Sequence, residues 1–141
     1  MKKNELLLYQ KNVVPSVIVM LFLIFNTFQT IITLNTIDVS AAGIRVMEII
    51  LTNIVLSFLV FIASFEIKRY STRWSWVVLV IGVFQCLRYF ILPSSLHDKD
   101  IFLTIVLPLE IAGLLLIFAS IISLIQCGKY RMAKKELECR S

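Results

Sequence analysis

Several polar side chains that are suited to binding or proton chemistry stand inside long apolar stretches of this chain. A charge or an amide in apolar surroundings is costly, so its position carries information about function. An arginine offers a fixed fork of donors to carboxylates, and a buried carboxylate can bind a proton or a cation. The candidates are four amides, two carboxylates, an arginine and a threonine: Asn26, Gln29, Asn53, Gln85, Glu48, Glu110, Arg88 and Thr30.

Helical spacing places these candidates on shared faces. At about 100° per residue, Asn26, Gln29 and Thr30 form one stripe, and Gln85 shares a face with Arg88. At about 1.5 Å per residue, all the strongly polar residues fall in one half of the apolar stretches, which the charge pattern makes the outer half. The sequence therefore predicts a polar pocket that opens outward and is lined by these eight residues.

Three interpretations of this cluster remain open from the sequence. The polar groups can satisfy one another and hold the helices together, as interhelical polar residues often do. They can line a pocket for a ligand or substrate, in which Arg88 pairs with Glu110 or Glu48. They can also form a contact surface for the helix of a partner protein.

The elements that must position these residues follow from composition. The chain has 141 residues, of which 59% are hydrophobic and 16% charged, and its mean hydropathy is +0.90. A soluble domain has roughly 25% charged residues, so we predict an all-α integral membrane protein. Because about 20 apolar residues cross a bilayer, the single membrane domain is predicted to be an up-down bundle of four spans, at about 13–34, 44–67, 74–92 and 101–126. The fourth helix is predicted to end at Gly128, within a basic tail that covers 127–141 and extends as a solvated helix.

Charge sets the predicted orientation. Of the 14 basic residues, 11 lie in the N-terminal segment, the second loop and the tail. The positive-inside rule then places both termini in the cytoplasm, and a bacterial cytoplasmic membrane is the expected location. An anionic inner leaflet accounts for the net charge of +5, so no nucleic-acid partner is expected.

Catalytic and metal-binding motifs are absent from the sequence. There is one histidine, His97, and none of the three cysteines belongs to a CxxC pair. No phosphate-binding loop, HExxH motif or nucleophile elbow occurs. We therefore expect no catalytic residues, no metal and no cofactor.

Three functional hypotheses follow. The first is a non-enzymatic accessory, sensor or protective subunit that binds a small ligand from the outer side or a larger membrane protein. The second is a small transporter or channel that self-associates and uses Glu110 as its membrane-embedded carboxylate. The third is a membrane enzyme that acts on a lipid head group.

Overall fold

A computed structural model describes residues 12–36, 39–91 and 107–139. It contains helices α1 (Val13–Thr36), α2 (Val39–Lys68), α3 (Thr72–Ile91) and α4 (Leu107–Glu138). Within these helices, the structure does not describe the side chains of residues 33, 34, 36, 39–46, 48, 49, 88–91 and 137. The predicted all-helical class is confirmed. Three segments are long and apolar enough to cross a membrane, namely Val13–Ile32, Ile50–Lys68 and Leu107–Glu136, and α3 carries a shorter apolar segment, Thr72–Leu87.

Two helices extend beyond the bounds predicted for their spans. The second helix begins at Val39 instead of residue 44, since Ala41 and Ala42 favour helix and neither proline nor a turn motif stops it. The fourth helix does not end at Gly128 but continues to Glu138, because a glycine inside a helix costs only about 1 kcal/mol. The predicted tail therefore forms the last turns of α4, in agreement with the helical extension expected from the sequence. Residues 101–106 of the fourth predicted span lie outside the described residues.

Contacts between the helices follow a ring. Helix α1 packs on α2 and α4, and α3 packs on α2 and α4. Residue numbers rise along one helix as they fall along its neighbour: Ser16 meets Ser64 and Asn26 meets Ser57. Along α3 and α4, Thr72 likewise meets Arg131 and Ser75 meets Ser123. Neighbouring helices in these contacts therefore run antiparallel.

The core is apolar and partly built from small residues. Phe22, Val60, Ile67 and Leu116 are among its largest fully buried side chains, and Ala63, Ala112 and Ala119 are also buried. Large apolar side chains such as Phe28, Leu51, Phe58 and Phe118 are more than half exposed. Soluble monomers rarely expose large apolar patches, so this surface fits contact with lipid.

A short turn joins α2 to α3 and defines one end of the molecule. The amides of Arg69 and Tyr70 donate to the carbonyls of Glu66 and Ile67 over 3.1 and 3.0 Å. Tyr70 has a φ of 59°, a left-handed conformation that is uncommon for a residue other than glycine. We call this end of the molecule the turn end and the opposite end the far end.

Candidate functional site

Four amide side chains on three helices are each buried in the far half of the molecule. Asn26 and Gln29 belong to α1, Asn53 to α2 and Gln85 to α3, and each is between 1% and 4% exposed. All four belong to the sequence-predicted site, and we call them the amide layer. Burial of an amide without a hydrogen bond is unfavourable, so the contacts of each one matter.

The levels of these residues follow from the helical rise. Asn12, Ser75 and Ser123 meet through hydrogen bonds and so share one level near the turn end. At about 1.5 Å per residue, Gln85 lies about 15 Å from that level, Asn26 and Asn53 about 21–22 Å and Gln29 about 26 Å. The amides thus occupy a band about 11 Å deep.

Asn26 is held by α2 on one side only. Its Nδ2 donates to Ser57 Oγ over 2.7 Å and, more weakly, to the backbone carbonyl of Asn53 over 3.5 Å. A carbonyl only accepts, so the atom of Asn26 that faces α2 is its nitrogen. Its Oδ1 is buried without a hydrogen-bond partner among the described residues.

Gln85 is the least satisfied member of the amide layer. Its side chain is 2% exposed, and neither Oε1 nor Nε2 has a hydrogen-bond partner among the described residues. Gln29 and Asn53, in contrast, each make an interaction. The free acceptors and donors are therefore concentrated on Asn26 and Gln85.

Thr30, Glu48 and Arg88 also belong to the predicted site. Thr30 donates its hydroxyl to the carbonyl of Asn26 in its own helix over 2.8 Å, so that proton is not offered to a ligand. The side chains of Glu48 and Arg88 lie outside the described residues, and the predicted pairing of Arg88 with Glu110 or Glu48 stays a prediction.

Glu110 lies at the edge of the amide layer and contacts a residue that the sequence analysis did not pair with it. Its carboxyl group is a neighbour of the thiol of Cys86 on α3, and both side chains are half-buried. The two helices approach closely here. A Cβ atom built on Gly82 would lie 3.1 Å from the carbonyl oxygen of Gly113, and one built on Gly113 would lie 2.8 Å from Cys86 Sγ. Glycine at both positions therefore allows α3 and α4 to touch.

A second polar group, near the turn end, was not predicted. Ser123 accepts from Asn12 Nδ2 over 3.2 Å and shares a 2.7 Å hydrogen bond with Ser75. Ser16 donates to the carbonyl of Ser64 over 2.8 Å. We call these five residues the serine network. The only signal in the sequence was the recurrence of serine in otherwise apolar spans, and Asn12 fell just before the first predicted span.

Aromatic and basic residues also lie at the turn end. The rings of Tyr70 and Tyr130 stack with centroids 4.6 Å apart and an interplanar angle of 8°. Burial raises the pKa of Tyr70 above its usual 10.0, with smaller contributions from Cys127 and Tyr130. Arg131 donates to Thr72 Oγ1 over 3.0 Å and ties α4 to the start of α3.

The described residues form a site of uncharged polar groups. Within 12–36, 39–91 and 107–139, no three His, Cys, Asp or Glu residues stand together as metal ligands. Among the side chains that the structure describes, the buried polar ones all belong to Asn, Gln or Ser. Comparison with known proteins adds nothing to this chemistry, because no family model, curated protein or solved structure matches the chain.

Proposed function

We propose that the chain is an integral membrane protein whose four helices cross the bilayer as an up-down bundle with both termini in the cytoplasm. The antiparallel contacts of neighbouring helices support this arrangement. Lys68, Arg69, Arg73, Lys129 and Arg131 all belong to the turn end, which is the side that the positive-inside rule assigns to the cytoplasm. A bacterial cytoplasmic membrane suits such a chain, and the amide layer then faces the outer half of the bilayer.

We propose further that the protein is a non-enzymatic accessory, sensor or protective subunit that binds through its amide layer. A small ligand from the outer side or the helix of a partner protein would supply the missing hydrogen bonds. The observation that carries this proposal is Gln85, whose side chain is 2% exposed and has no hydrogen-bond partner among the described residues. A buried amide without hydrogen-bond partners costs about 1–3 kcal/mol of stability. Gln85 is therefore not explained by a contribution to stability alone.

The serine network supports the distinction between binding and stability. Ser16 bonds to the Ser64 carbonyl and Ser75 bonds to Ser123, each across two helices, which is how interhelical polar residues stabilise a bundle. The amide layer has larger side chains with more polar atoms, and the described helices satisfy fewer of them. We infer that the amide layer has a role besides helix association.

A second candidate function is transport by a symmetric assembly, and the position of Glu110 favours it. Its carboxyl group is only half-buried, and its neighbours Leu107, Ile111 and Leu114 are exposed apolar residues. A carboxyl group on such a surface would meet lipid in a monomer, whereas a second copy would cover it. Proton-dependent uptake that Glu110→Gln abolishes would support transport, and uptake unchanged by Glu110→Gln would exclude this mechanism.

Native mass spectrometry of the protein purified in a mild detergent tests the binding function. We expect one defined small molecule or one partner chain on the wild-type protein and none on Gln85→Leu. Gln126→Leu is the matched control, because it makes the same change on α4 near the turn end, and it should retain the bound species. Wild-type protein that carries only bulk lipid, as Gln85→Leu does, would contradict the proposal.

A further inference from the structure

The turn end carries more positive charge than its own acidic residues can neutralise. The N-terminal segment, the second loop and the tail hold 11 basic residues, whereas the acidic residues at the same end of the sequence are four, Glu5, Glu66, Glu136 and Glu138. Among the described residues, Arg69 pairs with Glu66 over 3.4 Å and Lys134 pairs with Glu138 over 3.9 Å. Most of the other cations therefore have no acidic residue with which to pair.

Arg131 differs from Arg69 in the group that holds it. Nη1 of Arg69 bonds to the carboxylate of Glu66, so the charge of this arginine is balanced. Nη2 of Arg131 donates to Thr72 Oγ1 over 3.0 Å, and a hydroxyl group orients the guanidinium without neutralising it. A guanidinium has five N–H donors, and Arg131 makes no other hydrogen bond with a described residue. Arg131 is thus an oriented cation with donors to spare.

Two further cations lie within a helical turn of this contact. Arg73 follows Thr72 in the chain at the start of α3, and Lys135 lies four residues after Arg131 on the same face of α4. Both side chains are exposed, and neither forms an ion pair with a described residue. An anion bound to Arg131 would therefore meet a net positive potential.

Aromatic residues place this contact at the level of lipid head groups. The stacked rings of Tyr70 and Tyr130 lie directly before Thr72 and Arg131 in the chain. Trp76 lies one turn further along α3, about 6 Å from the level of Thr72, and its side chain is 55% exposed. Tyrosine and tryptophan concentrate where the hydrocarbon meets the head groups. Arg131 is thus expected at the depth of the lipid phosphates.

We propose that Arg131, assisted by Arg73 and Lys135, binds the phosphate of an anionic phospholipid in the leaflet at the turn end. The guanidinium donates two N–H groups to two phosphate oxygens while one Nη2 proton stays on Thr72. The acyl chains lie against the exposed apolar side of α3 that begins at Trp76. A zwitterionic lipid fits less well, because its ammonium group would meet the same cations. The inference rests on the proposed membrane location and is independent of the amide layer.

The test is thermal unfolding of the full-length protein in a maltoside detergent with three probes. These are dioleoylphosphatidylglycerol, dioleoylphosphatidylcholine with the same acyl chains, and glycerol 3-phosphate, which has a phosphate and no acyl chain. We expect phosphatidylglycerol to raise the Tm of the wild-type protein saturably, and the other two probes at the same concentrations to leave it unchanged. A detergent micelle has no sides, so the result does not depend on the orientation of the protein in the membrane.

Three variants separate an oriented site from general attraction. Arg131→Gln should bind phosphatidylglycerol at least about tenfold more weakly, because it loses charge-assisted hydrogen bonds. Arg69→Gln is the matched control, since it removes the same charge from the same end and leaves the contact between Arg131 and Thr72 intact; it should bind the lipid as the wild type does. Thr72→Val keeps every charge and removes only the group that orients Arg131, so it should weaken binding about threefold.

Equal losses of affinity in Arg131→Gln and Arg69→Gln would show that only the overall charge of the turn end attracts the lipid, and would overturn the inference. Tm shifts of the same size with phosphatidylcholine would overturn the requirement for an anionic head group. A saturable shift with glycerol 3-phosphate would show that a free phosphate ester is the ligand in place of a lipid. The amide layer is tested separately through Gln85→Leu, so either proposal can fail while the other stands.

Discussion

The two polar regions of the molecule differ in how completely their own helices satisfy them. At the turn end, four serine hydroxyl groups and Asn12 Nδ2 make hydrogen bonds of 2.7–3.2 Å. In the far half, Gln85 has no hydrogen-bond partner and Asn26 is bonded through its nitrogen alone, within the described residues. In the described ranges, Asn12 Oδ1 is the one side-chain atom of the serine network that is also buried without a hydrogen-bond partner.

Side-chain size explains the contrast. A serine hydroxyl is short and rotates, so it can reach a neighbouring hydroxyl group or a carbonyl without displacing apolar neighbours. An amide needs an acceptor and a donor in a fixed geometry, which closely packed helices seldom provide twice. Serine therefore suits helix association. A buried glutamine without hydrogen-bond partners suits the recognition of a small ligand or of the helix of a partner protein.

The largest effect is expected where α3 and α4 touch, between the two regions. A Cβ atom at position 82 would lie 2.9 Å from Ile117 Cγ1, 3.0 Å from the Ile117 amide nitrogen and 3.1 Å from the Gly113 carbonyl oxygen. Since two of these atoms belong to the backbone, Gly82→Ala must separate the helices and should cost about 2–3 kcal/mol. Thermal unfolding in detergent measures this loss.

Gly128→Ala is the control for that change. Position 128 has no heavy atom within 4 Å of an added Cβ, and Gly128 is an exposed residue inside α4. Alanine there should raise stability by up to about 1 kcal/mol through helix propensity alone. A loss of stability at both glycines would mean that the close α3–α4 contact is not the cause.

A smaller loss is expected in the serine network. Ser123→Ala removes the acceptor of Asn12 Nδ2, while Ser75 keeps its bond to the Ser71 carbonyl. A buried donor without a partner costs about 1–3 kcal/mol. Ser120→Ala is the matched control on the same helix, because Ser120 bonds only to the Ile117 carbonyl of its own helix, and it should be nearly neutral. Equal unfolding free energies for the two variants would show that the serine network does not stabilise the protein.

The amide layer and the serine network differ in how much of their structure could be predicted from the sequence. The apolar runs predicted four helices, and helical spacing and depth placed Asn26, Gln29, Asn53 and Gln85 in one half of them. The serine network was missed because serine occurs on any helix face, and its pairing depends on the register between helices, which hydropathy does not contain. The close contact of Gly82 and Gly113 between α3 and α4 depends on the same register.

The smallest effect concerns pH at the turn end. Burial raises the pKa of Tyr70 above 10.0 in the folded protein, so the folded state holds this proton more tightly than the unfolded state. The associated stability is present below about pH 10 and is lost as pH rises through the raised pKa. The Tm should fall more between pH 9 and pH 11 for the wild-type protein than for Tyr70→Phe, and equal falls would contradict the prediction.

The most direct test of the central claim is the unfolding free energy of Gln85→Leu, measured on protein stripped of bound molecules and compared with the wild-type protein. If the amide layer exists for recognition, leucine removes an unsatisfied buried amide at similar volume and the variant should be more stable by about 1–3 kcal/mol. Gln126→Leu should change stability less, because Gln126 is only half-buried. A Gln85→Leu protein that is less stable than the wild type would show that this amide holds the helices together, which contradicts a role in recognition.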